Sequence, residues 1–235
     1  RQVRIQQPVM MTIRGVAHAM GVILWFYAMA RIPIAEVTAL GYLTPVVVTV
    51  AAAVFLGEAF HARRLVAVLA GFAGVLIIIR PGLQEISIGQ VAQLCTAPLF
   101  AVSMLLTKKL TATNDAIAIV AGLSVVCTLA LMPLAIVEWV TPGLQDVLLL
   151  SLTAALATFG HYTMTLAMGY APLSALQPVS FLQLVWATIA GYLLFSEPVD
   201  AYVILGGTVI IAAASYIAHR EARLARSVRN VSSAG

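Results

Sequence analysis

His18 and His161 lie inside long apolar stretches of this 235-residue chain, and imidazole is the side chain that changes charge near neutral pH without a large perturbation. A site that moves protons needs such a group. The alternative is a neutral imidazole that hydrogen-bonds a neighbouring helix. Glu36, one turn inside another apolar stretch, is the other proton-carrying candidate, with snorkelling to the membrane interface as its alternative. Polar residues recur around these three at helical steps, so that Arg14, His18, Gly21 and Trp25 share one stripe and Thr38, Gly41, Tyr42, Pro45 and Thr49 a second. Gln93, Thr96, Phe100, Ser103 and Thr107 form a third, and Ser151, Thr158, His161, Tyr162 and Thr165 a fourth. Such stripes face lipid only at a cost. They either surround a wet cavity or hydrogen-bond between helices at about 0.6 kcal/mol each. Pro45 and Pro178 each remove a backbone donor and free a carbonyl. Gln177, beside Pro178 and one turn from Phe181, adds an amide and an aromatic face suited to a polar organic ligand. The candidate cavity residues are therefore His18, Trp25, Tyr42, Pro45, Gln93, Ser103, His161, Tyr162, Gln177 and Phe181, with His18, His161 and Glu36 as candidates for coupling.

The elements that must position them follow from composition. With 62% hydrophobic and 9% charged residues and a mean hydropathy of +1.02, the chain has too little polar surface for a water-soluble particle, and a lipid bilayer is its expected surrounding. A helix needs about 20 mostly apolar residues to cross the hydrocarbon core. Eight stretches qualify, near residues 11–30, 34–56, 63–79, 88–107, 115–137, 147–169, 173–195 and 201–219. Breaker residues such as Arg31-Ile32-Pro33, Arg80-Pro81-Gly82, Thr141-Pro142-Gly143 and Ala171-Pro172 join them. If the segments alternate direction, eleven of the thirteen basic residues fall on one side, against Arg31 and Arg80 on the other. That asymmetry makes the Arg-rich side, with both termini, cytoplasmic. The net charge of +4 is then topology and not a nucleic-acid surface. The tail from His219 to Arg229 either touches anionic headgroups or extends as a solvated helix.

The chain also repeats itself at a spacing of 139, from Gly21, Ala28, Met29, Pro33 and Glu58 to Gly160, Ala167, Met168, Pro172 and Glu197. Nine identities fall in the 38 positions from Gly21 to Glu58, with no gap. A period this long is a half-molecule and not a solenoid repeat. Three segments of the first half match the last three, whereas the stretch 88–137 has no counterpart before Arg1, so two helices of a five-plus-five arrangement are expected to be missing. An odd-numbered unit copied once enters the membrane upside down, and inverted repeats are a transporter architecture. The expected fold is an all-α integral membrane protein, an inverted repeat of five-helix halves with eight transmembrane helices present. Residues 1–82 are expected to be the remainder of the first half, 83–220 the second half, and 221–235 a basic tail.

The segments Leu24-Trp25-Phe26-Tyr27-Ala28 into Ile32-Pro33-Ile34-Ala35-Glu36, then Leu56-Gly57-Glu58 before the Gly71 to Gly74 helix, and Phe195-Ser196-Glu197-Pro198 before Gly206-Gly207 resemble the ten-helix EamA type of the drug/metabolite transporter superfamily. That resemblance implies a bacterial inner-membrane carrier of small metabolites or amphipathic compounds, with efflux the implied direction and a cavity between its halves. Glu58 and Glu197, at helix ends, are read as caps or interface anchors. Gly71, Gly74, Gly206 and Gly207 are read as close helix contacts. No Gly-Lys-Ser/Thr phosphate loop, His-Glu-x-x-His pair or Gly-x-Ser-x-Gly elbow occurs, and Cys95 and Cys127 lack metal-ligand spacing. No enzyme, cofactor or metal is expected. The rival readings are a structural or accessory membrane subunit and an intramembrane hydrolase.

Overall fold

A computed structural model describes residues 6–44, 46–48, 51, 62–80, 85–170 and 182–232. The described residues are helical, with no strand, and form α1 Pro8–Met29, α2 Ile34–Gly41, α3 Ala62–Ile79, α4 Ile88–Leu110, α5 Ala116–Val137, α6 Leu144–Tyr170, α7 Leu182–Phe195 and α8 Ala201–Ser232. Among them α1, α4, α5 and α6 are long and apolar enough to cross a membrane. Shorter apolar helical stretches occupy Leu69–Ile79, Gln183–Phe195 and Ala201–Tyr216.

The helix boundaries have local causes. Pro33 holds the N-cap position of α2, where its missing N–H leaves no bond unmade. The same helix ends at Gly41, short of the continuous 34–56 span expected. Tyr42 turns its N–H back to the carbonyls of Ala39 and Leu40, and residue 45, a proline, supplies no N–H for the Gly41 carbonyl. Helical residues resume at 43–44, 46–48 and 51. Ser196 at φ 55° stops α7, and Arg80 at φ 50° stops α3. In the opposite sense α8 outruns its expected end near 219 and stays helical through the basic tail to Ser232.

The chain divides into two compact units. One contains residues 1–20 and 102–171, thus the start of α1, the end of α4, α5 and α6. Its small core packs Met11 against Leu110 and Ile119. Gly15 and Gly122 let α1 and α5 touch, because a Cβ on Gly122 would lie 2.7 Å from Met11 Cγ and one on Gly15 would run into Val126. Lys108 donates to the Met168 carbonyl at 2.5 Å, placing a cation on the last carbonyls of α6. The amide of Gln6 donates to Asn114 Oδ1. These contacts gather the N-termini of α1 and α5 and the C-termini of α4 and α6 at one end, as helices of alternating direction require.

The second unit contains residues 21–101 and 172–235. Ala28, Val37, Leu40, Ile78 and Ile210 centre its core, and Trp25 packs on that core. The closest approach joins α3 to α8, where Gly74 and Gly206 face each other's backbone carbonyls. Arg80, after α3, pairs with Asp200 before α8 at 2.5 Å and stacks over Tyr202. The Glu197 carboxylate accepts from the Ile34 amide at 2.9 Å, so it caps α2 from the far end of the sequence. The repeat-matched pair Val46 and Val185 differ in environment, 2% and 54% exposed.

Candidate functional site

In the second unit the buried polar groups converge on α2. Gln93 sits on α4, 2% exposed; its Nε2 donates to the Val37 carbonyl at 2.9 Å. Gly41 leaves room for that amide, since a Cβ there would meet Nε2 at 3.3 Å. Gln93 Oε1 is buried and has no hydrogen-bond partner among the described residues. An orphan acceptor inside a helix bundle is costly unless something visits it. Glu36 is buried too and accepts from Gln90 Nε2 at 2.6 Å. Gln90 is held in turn by a reciprocal capping box with Ser87, whose amide donates to Gln90 Oε1 while the Gln90 amide donates to Ser87 Oγ. Tyr42 is buried, and its hydroxyl accepts from the Leu184 amide in the first turn of α7 at 2.9 Å.

In the first unit the polar groups line the contact of α1, α4 and α6. His18 meets His161 edge to face, ring centroids 5.2 Å apart at 77°. Ser103 Oγ lies 3.4 Å from His18 Nδ1. One turn before His18 on α1, Arg14 is 3% exposed. Its Nε donates to Thr107 Oγ1 at 2.6 Å and Nη1 to the Ile119 carbonyl at 2.8 Å. Thr107 Oγ1 in turn donates a hydrogen bond to the Ser103 carbonyl at 2.7 Å.

Of the residues expected from the sequence, His18, His161 and Ser103 are thus brought together, with Tyr162 half-buried beside His161 on α6. Tyr42 and Gln93 both engage the second unit's backbone, and Trp25 lies against the Phe26 ring and the core. Pro45, Gln177 and Phe181 fall outside the described residues, as do Thr49, Glu58 and Pro178. Sequence reasoning missed two participants. Arg14 shares the His18 stripe but is absent from the expected cavity residues, and Gln90 carries its signal in the Ser87-x-x-Gln90 capping pattern. Among the described residues no three His, Cys, Asp or Glu side chains gather as a metal site.

The sequence model of the EamA-like transporter family matches residues 4–80 and 87–218. The chain belongs to that family. It is similar to an S-adenosylmethionine uptake transporter of Rickettsia bellii, 24% identical over 218 residues that cover 93% of this chain and 75% of the relative. A riboflavin transporter of Rhizobium johnstonii is 31% identical over 214 residues, covering 91% and 71%. A pseudopaline exporter of Pseudomonas aeruginosa is 29% identical over 206 residues, covering 87% and 72%. The EamA-like chain is therefore a multi-pass membrane protein of a family of transporters, not of enzymes.

Proposed function

We propose that this EamA-like protein is a secondary carrier that moves a small organic metabolite or amphipathic compound across the bacterial inner membrane by alternating access, with export as the working direction. The observation that carries this reading is the polar face of α4. Gln93, Thr96, Ser103 and Thr107 are each no more than 4% exposed inside a helix apolar enough to span the bilayer. A helix that only packed in lipid would gain little from four buried polar side chains, one of which, Gln93, has an Oε1 with no partner among the described residues. A substrate amine, amide or hydroxyl would satisfy that acceptor.

The two inverted halves, 1–82 and 83–220, with 221–235 as a cytoplasmic tail, are part of the same proposal. The separate family matches at 4–80 and 87–218 support a two-half reading. The excess of basic residues on one side supports cytoplasmic termini. Relatives named for uptake and for export both exist, so direction is a matter for assay. Glu36, His18 and His161 are proposed to couple transport to protons, and Tyr42, Gln93, Ser103 and Tyr162 to line the substrate path, together with Pro45, Gln177 and Phe181. The test is a metabolite screen in inside-out vesicles with and without an imposed proton gradient. Gradient-dependent movement of one compound class supports the coupled carrier. Movement indifferent to the gradient removes coupling, and no movement of any compound refutes the carrier.

A further inference from the structure

Arg14 is a buried cation with no ion-pair partner among the described residues. Its two hydrogen-bond acceptors, Thr107 Oγ1 and the Ile119 carbonyl, are both neutral. Guanidinium offers five N–H donors, and the two bonds described use one each from Nε and Nη1. The acids of this unit stand at helix ends: Asp115 at the N-cap of α5, Glu138 at its C-cap and Asp146 in the first turn of α6. None of them forms an ion pair with Arg14 among the described residues. Near the guanidinium stand His18, its edge-on partner His161, the Ser103 hydroxyl and the Cys127 thiol, which donates to the Gly15 carbonyl, so that no carboxylate is among these neighbours. Lys108, on α4, is turned to the Met168 carbonyl.

A buried charge without a close counter-charge, as Arg14 stands among the described residues, is among the most expensive arrangements in a membrane protein, and such residues mark ligand pathways. A purely structural role would be served at lower cost by a neutral amide, which could bond the same hydroxyl and carbonyl. Planar guanidinium, by contrast, matches an oxyanion with two parallel N–H bonds. We propose that Arg14, flanked by His18, His161 and Ser103, binds the anionic oxygen group of the transported molecule, so that the substrate class is a small organic acid. This inference rests on the carrier reading above. The same oxyanion chemistry is offered by a lipid phosphate, and the two sources are separable by experiment.

The full chain is reconstituted in phosphatidylcholine vesicles and its thermal midpoint followed by tryptophan fluorescence at matched ionic strength, with benzoate, benzamide or inorganic phosphate as probes. Benzoate is expected to raise the midpoint and benzamide, its uncharged isostere, to leave it unchanged. Protection by phosphate as well supports a general oxyanion site. Arg14→Gln is expected to need about tenfold more benzoate for the same shift, with Arg14→Lys in between. Equal responses to benzoate and benzamide in the unaltered protein overturn the proposal, and that comparison holds even if Arg14→Gln does not fold. Protection by added phosphatidylglycerol with none by benzoate or phosphate overturns the substrate assignment in favour of a lipid headgroup. The vesicle transport screen separates the two failures. Benzoate protection without movement of any compound keeps the anion site and refutes the carrier, whereas transport of uncharged compounds with no benzoate protection or competition refutes the site and keeps the carrier.

Discussion

Replacing Gly206 by Ala puts one methyl group into the tightest backbone contact of the second unit. The new Cβ would lie 2.5 Å from the Gly74 carbonyl oxygen and 2.6 Å from Ile78 Cγ1. Ordinary contact begins near 3.4 Å, so the methyl is 0.9 Å too close to an atom of the α3 backbone. A backbone carbonyl cannot rotate away, and α3 and α8 must separate along a contact that also seats Ile78 and Ile210. Overpacking of this kind costs about 1–3 kcal/mol, and the upper end applies here because the helices themselves move. Alanine regains about 1 kcal/mol of helix propensity over glycine, which leaves a net loss of about 1–2 kcal/mol. Gly207→Ala is the control. Its Cβ would stand 3.0 Å from Leu184 Cδ2 and 3.3 Å from Ala39 Cβ, a shortfall of 0.4 Å against the end of a flexible side chain. That cost, below about 1 kcal/mol, is offset by the propensity gain. Unfolding in mixed micelles by rising sodium dodecyl sulfate, read by tryptophan fluorescence, should therefore show Gly206→Ala clearly destabilised and Gly207→Ala near the unaltered protein. A Gly206→Ala midpoint equal to or above the original, or a larger loss for Gly207→Ala, would refute the close-contact reasoning.

Glu36→Gln keeps an acceptor for Gln90 Nε2 but removes the ionisable group; gradient-driven transport in vesicles should collapse while the unfolding midpoint stays within about 1 kcal/mol, and transport unchanged at equal protein level would exclude Glu36 from coupling. Tyr42→Phe strips the acceptor from the Leu184 amide, a loss of about 1–3 kcal/mol; a midpoint shift below the detection limit would mean that the amide finds another partner. Arg80→Gln and Asp200→Asn break an ion pair whose side chains are 23% and 33% exposed. A double-mutant cycle should return a coupling of about 0.5–1 kcal/mol that weakens in high salt. A salt-independent coupling of several kcal/mol would contradict that partly solvated geometry.

Hydropathy and period were enough to place α1, α3, α4, α5 and the start of α8 to within a few residues, because a membrane-spanning helix is set by its own run of apolar side chains. The polar stripe on α4 was legible for the same reason: residues at steps of three and four share a face whatever they touch. Glu197 could be read as a cap from its place at a helix end, but not as the cap of α2, whose first amide is 163 residues away in sequence. The break after Gly41 was half visible in Pro45, whose missing N–H is a local property; the return of the Tyr42 amide to Ala39 and Leu40 was not.

What the sequence by itself determined is therefore the membrane setting, the helical class, the polar faces and, through its motifs, the EamA family. Only the tertiary structure decided which of those faces meet. His18 reaches His161 on α6, Arg14 turns inward to Thr107 and Ile119 instead of staying at an interface, and Glu36 finds Gln90. Each of those pairs joins residues more than fifty positions apart. Period along one helix says which side chains stand together; the choice of facing helix depends on where small residues such as Gly15, Gly122, Gly74 and Gly206 let backbones close up. That fit is a property of two surfaces at once, and no single segment encodes it.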